Sequence, residues 1–84
     1  MIINKINLTK KMTKKEYLEK IGARIAEIRE EKGFAKEVFA DKLGISRMQL
    51  YRIENGKVNT SIGAMRDICI ALDIKVIELL DIED

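Results

Sequence analysis

From residue 13 to residue 80, apolar side chains recur every three or four positions and are interrupted by glycines and short polar stretches. This rhythm predicts five short helices. Thr13 followed by Glu16 is a capping-box signature and should launch the first, which carries Leu18, Ile21, Ile25 and Ile28 inward until Gly33 stops it. A second, two turns long, should run from about Lys36 to Leu43 and bury Phe39, Ala40 and Leu43. Gly44 and Ile45 form a bend, and Ser46 with Gln49 offers another capping box for a third helix through Ile53, closed by Asn55, Gly56 and Lys57. Thr60 or Ser61 should cap a fourth with Ile62, Met65, Ile68, Cys69 and Leu72 inward; Val76, Ile77 and Leu80 define a short fifth. The expected fold is therefore all-α: a compact five-helix bundle in a single domain over residues 13–84, preceded by an N-terminal arm at 1–12.

Composition narrows the function classes. Eighty-four residues leave little room for an enclosed active site or for a second domain holding a small-molecule effector. The 46% apolar and 36% charged residues, with no proline and no tryptophan, fit an ordered helical chain. The single Cys69 permits no internal disulfide, no apolar run approaches the roughly 18 residues of a membrane span, and MIINKINL has no signal-peptide character. A cytoplasmic location without membrane attachment is the expectation. With no histidine, no Cys/His cluster, no glycine-rich phosphate loop and no nucleophile–base pair, neither a metal, a cofactor nor an enzymatic activity is expected.

Charge is unevenly spread. Residues 1–20 hold six lysines against two glutamates, and residues 58–84 hold six acids against two bases, although the net charge is only +2. A basic front can face a polyanion, while the acidic end can face another copy of the chain. Solvated helix faces would give the same segregation. The arm itself admits three readings: a disordered lead, a basic strand-follower carrying Lys5, Lys10 and Lys11, or a short strand in which IINKINL pairs with its own copy.

Residues 36–56 decide between the many possible five-helix folds. Ala40 stands four residues before Gly44, with Phe39, Leu43, Ile45, Leu50 and Ile53 around the pair. A small residue lets two helices cross closely, the glycine supplies a positive φ, and the apolar set locks the helices together. Followed by IENG, this pattern resembles the helix-turn-helix of the Cro and phage-repressor type, the XRE family of DNA-binding regulators. The resemblance spans roughly residues 21–80 and implies a repressor-like bundle whose third helix enters the DNA major groove.

Helical geometry supplies an independent view of that helix. If Leu50 and Ile53 face the core, then at about 100° per residue Met48, Tyr51, Arg52 and Asn55 face away, with Arg47 beside them. The resemblance places Arg47, Met48 and Arg52 at base-reading positions. Lys36, Gln49, Tyr51, Asn55 and Lys57 would contact the backbone or flank the readers. Gln49 is read first as a capping residue turned toward the buried side, Tyr51 as either a sugar-phosphate contact or a neighbour of the second helix, and Asn55 as a phosphate ligand, a helix cap or both. The family also implies an internal pair, Arg29 with Glu54, tying the first helix to the third. Arg29, Glu54, Ala40 and Gly44 are accordingly assigned to scaffolding, and Cys69 to the core as a small hydrophobe.

The chain departs from the family pattern at the start of the second helix. Relatives usually have a capping serine or threonine and then glutamine, whereas this chain has Ala35 and Lys36, and Thr60 replaces a frequent proline. Lys36 can still meet a phosphate as a point charge. The resemblance implies a sequence-specific, double-stranded-DNA-binding transcriptional repressor. Because one such helix reads only a few base pairs, a homodimer on a palindromic operator follows, with Ile74, Ile77, Leu80 and Ile82 as the dimer surface. The other reading is an antitoxin or adaptor, whose main partner would be a protein such as a toxin or another regulator, with secondary DNA binding.

Overall fold

The structure, a computed structural model, describes residues 11–82. The readings for Lys5, Lys10 and the IINKINL strand lie outside the described residues. Five helices follow in order: α1 (Lys14–Glu31), α2 (Lys36–Leu43), α3 (Arg47–Glu54), α4 (Ile62–Leu72) and α5 (Val76–Leu80).

Local chemistry accounts for where they start. The Thr13 hydroxyl accepts from the Glu16 amide at 3.1 Å and the Glu16 carboxylate accepts from the Thr13 amide at 2.8 Å, completing the capping box of α1. Ser46 and Ser61 each accept from the amide three residues on, at 3.0 and 3.1 Å, opening α3 and α4. At Ser46 the bond present is the hydroxyl half of the expected box. Ala35 occupies the N-cap of α2 and offers no side-chain bond. Its backbone is already extended there, so Ala35→Ser should stabilise the fold by about 0.5–2 kcal/mol, read as a higher thermal midpoint by circular dichroism.

The turn between α2 and α3 depends on Gly44. Its φ of 72° is left-handed, which allows the Gly44 and Ile45 amides to donate to the Asp41 and Ala40 carbonyls at 3.0 Å and brings the chain straight into the Ser46 cap. The end of α4 uses the same device on Asp73, a residue that tolerates this conformation better than most.

All five helices feed one core. Ile21, Ile25 and Ile28 of α1, Phe39 and Ala40 of α2, Leu50 and Ile53 of α3, Ile68, Cys69 and Leu72 of α4, and Leu79 of α5 are buried together. Helix α1 packs on α3 and α5, and α2 packs on α3 and α4. Phe34, in the α1–α2 turn, lies with its ring centre 5.7 Å from that of Phe39, and the Lys42 ammonium sits 5.5 Å above it, closing the edge of the core with a cation–π contact. Burial, reinforced by the Glu78 carboxylate, pushes the Cys69 thiol up; it stays neutral and acts as a packing atom.

Burial differs from expectation at several positions. Ile62 is 89% exposed, because it is the first residue of α4 and no facing helix reaches it. Leu18, Leu43 and Met65 are only half-buried, although Leu43 and Met65 still pack against the core. Gln49 is exposed, not turned toward the core. In α5 Val76, Ile77 and Leu80 face solvent, and the buried residue is Leu79, which the sequence pattern did not single out.

Candidate nucleic-acid interface

Helix α3 is eight residues long and has two unlike sides. Leu50, Ile53 and Glu54 are buried; Arg47, Met48, Gln49, Tyr51 and Arg52 are exposed, followed by exposed Asn55 at the C-cap. Two apolar anchors and a cap at Ser46 are enough to fix so short a segment onto the body, and they leave the opposite face without any packing duty. Met48 and Tyr51 are each more than half exposed, which costs hydrophobic free energy unless another surface covers them.

The charged members of this face differ in how they are held. Arg47 donates from Nη1 to Glu37 Oε1 of α2 at 3.0 Å, a pair on the outside of the molecule. The Arg52 side chain has no hydrogen bond or ion pair among the described residues. The Asn55 side chain donates to the Tyr51 carbonyl at 2.8 Å, so it caps its own helix, and its side-chain oxygen remains an open acceptor. Lys36 and Asn55 border one open cleft beside Ala23 and Ala26, a meeting of α2 and α3 that spacing alone had left undefined. Glu27 and Glu30 line the same cleft, and the sequence pattern gave no sign of it. Lys57 is exposed just beyond α3, its amide bonded to the Arg52 carbonyl at 2.8 Å.

Beneath this face Arg29 and Glu54 form a buried ion pair. Arg29 Nε donates to Glu54 Oε2 at 2.7 Å, Nη2 donates to Oε1 at 3.3 Å, and Nη1 donates to the Phe34 carbonyl at 2.8 Å. One guanidinium thus engages α1's own following turn and the end of α3, with all three nitrogens occupied. The orientation of α3 on the body is tied to this group.

Residues 25–79 match the helix-turn-helix family model. The chain belongs to this family, in its XRE branch. Among helix-turn-helix relatives, the HTH-type transcriptional regulator SinR of Bacillus subtilis is 39% identical over 62 residues, covering 73% of this chain and 56% of that protein. SinR of Bacillus licheniformis is 37% identical over 65 residues, covering 76% and 59%. This chain therefore spans a little over half the length of these regulators. Two solved helix-turn-helix structures share the fold. The restriction-modification controller protein C.AhdI from Aeromonas hydrophila superposes with a TM-score of 0.70 at 35% identity, over 74% of this chain and 94% of that one. The clp gene regulator ClgR from C. glutamicum gives 0.73 at 26% identity, over 76% and 83%. No helix among the described residues is long and apolar enough to cross a membrane.

Proposed function

We propose that this helix-turn-helix protein is a cytoplasmic, sequence-specific DNA-binding transcriptional regulator, a repressor that acts as a homodimer on a palindromic operator. The observation that carries the reading is the outer face of α3: two arginines with unspent donors beside an exposed methionine, on a helix whose other side is locked into the core. A guanidinium edge donates in parallel to O6 and N7 of guanine, and Met48 fits against a thymine methyl. The names of the relatives, a transcriptional regulator and a controller protein, agree in kind.

The dimer surface belongs to α5. Ile77 is 66% exposed, and Val76 and Leu80 add to it, whereas Ile74 and Ile82 are partly spent against the core. A five-residue helix gains nothing for its own fold from these open apolar groups. Covering them with the same face of a second copy makes a two-fold pair and sets two α3 helices on one duplex.

Selection of bound duplexes from a random pool tests the reading. Wild type should enrich a symmetric site containing guanine in each half. Arg47→Ala and Arg52→Ala should each flatten preference at one base pair per half-site, a loss of about 1–3 kcal/mol there, while Lys36→Ala should weaken all sequences alike. Enrichment of no sequence by the wild type would contradict it.

A further inference from the structure

We propose that Glu37 is a positioning residue for base reading, holding the Arg47 guanidinium so that one of its donor edges is presented to DNA. This rests on the DNA-binding reading above and adds to it a residue, Glu37, that the recognition helix does not contain.

Arg47 and Glu37 stand in the first turns of α3 and α2, ten positions apart, and their side chains are 60% and 72% exposed. An exposed pair of this kind adds little to folding. Its consequence lies in what it leaves of the arginine. A guanidinium has five N–H donors in a fixed plane, and Glu37 accepts from Nη1 alone. The Nε–Nη2 edge carries no bond among the described residues, and it is a flat two-donor edge of the kind that fits guanine O6 and N7. Arg29 shows the opposite arrangement, with a bond on each of its three nitrogens and its side chain only 4% exposed.

Electrostatics argue in the same direction. A carboxylate next to the reading arginine is repelled by phosphates and lowers affinity for any duplex whatever its sequence. It also offsets the arginine's attraction to the backbone, which competes with the base edge for the same donors. Glu37 therefore lowers non-specific binding and pre-orders a flexible side chain. Both effects raise the ratio of specific to non-specific binding. Arg52, without a partner, has neither advantage.

The test is the same pool selection, run with wild type, Glu37→Ala, Glu37→Gln, Arg47→Ala and the double variant Glu37→Ala/Arg47→Ala, alongside binding to an unrelated duplex over a range of salt. Far-UV circular dichroism should show all of them folded, since both side chains are exposed. Releasing one pre-ordered side chain should reduce preference at the base pair read by Arg47 by about 2- to 12-fold in Glu37→Ala. Preference at the Arg52 base pair should stay, and affinity for the unrelated duplex should rise, more so at low salt. The neutral amide of Glu37→Gln keeps an acceptor and should fall between. The double variant should match Arg47→Ala at that base pair. Full sharpness there in Glu37→Ala overturns the proposal while leaving base reading by Arg47 intact. So does a change confined to a cytosine position that Arg47→Ala leaves alone, which would make Glu37 a reader in its own right. If Arg47→Ala itself changes no base preference, the underlying assignment fails and the proposal falls with it.

Discussion

Glu54→Ala should lower stability by about 3–5 kcal/mol, a fall of more than about 12 °C in thermal midpoint for a domain of this size. The substitution leaves the Arg29 guanidinium in a site where its side chain is 4% exposed, with Nε and Nη2 lacking hydrogen-bond acceptors, Nη1 still bonded to Phe34, and only the solvent-exposed Glu30 carboxylate, 3.7 Å from Nη2, to offset the charge. Desolvating an unpaired charge is far more costly than losing a solvated pair. Glu37→Ala breaks a comparable contact on the surface and should cost no more than about 1 kcal/mol. Replacing both Arg29 and Glu54 by apolar residues of similar volume should recover most of the loss, because it removes the stranded charge along with the bond. Thermal and urea unfolding followed by circular dichroism measures all three. A Glu54→Ala midpoint within a degree or two of wild type would show that the pair does not hold α1 to α3.

Gly22→Ala should also destabilise, against the usual trend for a glycine inside a helix. Propensity alone favours alanine by about 1 kcal/mol. Here α1 passes directly over the last turn of α3, and an added Cβ at residue 22 would stand 2.7 Å from the Glu54 carbonyl carbon and closer still to the Ile53 and Glu54 carbonyl oxygens. Backbone cannot rotate away as a side chain can, so the two helices must separate. Overpacking of that sort costs about 1–3 kcal/mol, more where backbone moves, and outweighs the propensity gain. Since Ile53 and Glu54 belong to α3, the shift should also disturb the face that carries Arg47 and Arg52. A lower urea midpoint together with weaker selection for the wild-type site is the expected outcome; a raised midpoint would contradict so close a crossing of α1 and α3.

Much of the scaffold was legible from residue types with a local mechanism. Caps at Thr13 and Ser46 and turns at Gly33 and Gly44 act within four or five residues, so spacing alone locates them, and for α4 it narrows the cap to Thr60 or Ser61, of which the structure uses Ser61. The misses are those that depend on what lies opposite. Ile62 fits the inward stripe of α4 by period, yet nothing in the period says that the facing helices stop short of it. In α5 four of five residues are apolar, and a helix of little more than one turn has too few positions to reveal its phase; the choice of Leu79 as the anchor is made by α1 and α4. The role of Gly22 has no local signal, because only the crossing with α3 gives it a purpose. The exposed side of α3 followed from the burial of Leu50 and Ile53. The bond from Arg47 to Glu37 did not, since it joins two turns that only the bend at Gly44 brings together. The Arg29–Glu54 contact was implied by the family resemblance, not by any periodicity.

Chemical probing of the selected duplex tests the central claim most directly, that the outer face of α3 sits in the major groove. Dimethyl sulfate methylates guanine N7 in the major groove and adenine N3 in the minor groove, so it distinguishes the two surfaces in one reaction. Bound protein should shield guanine N7 in two symmetric half-sites about one helical turn apart, and Arg47→Ala and Arg52→Ala should each restore methylation at a different guanine. Protection of adenine N3 alone, or unchanged guanine reactivity on a duplex that the protein demonstrably occupies, would contradict the account.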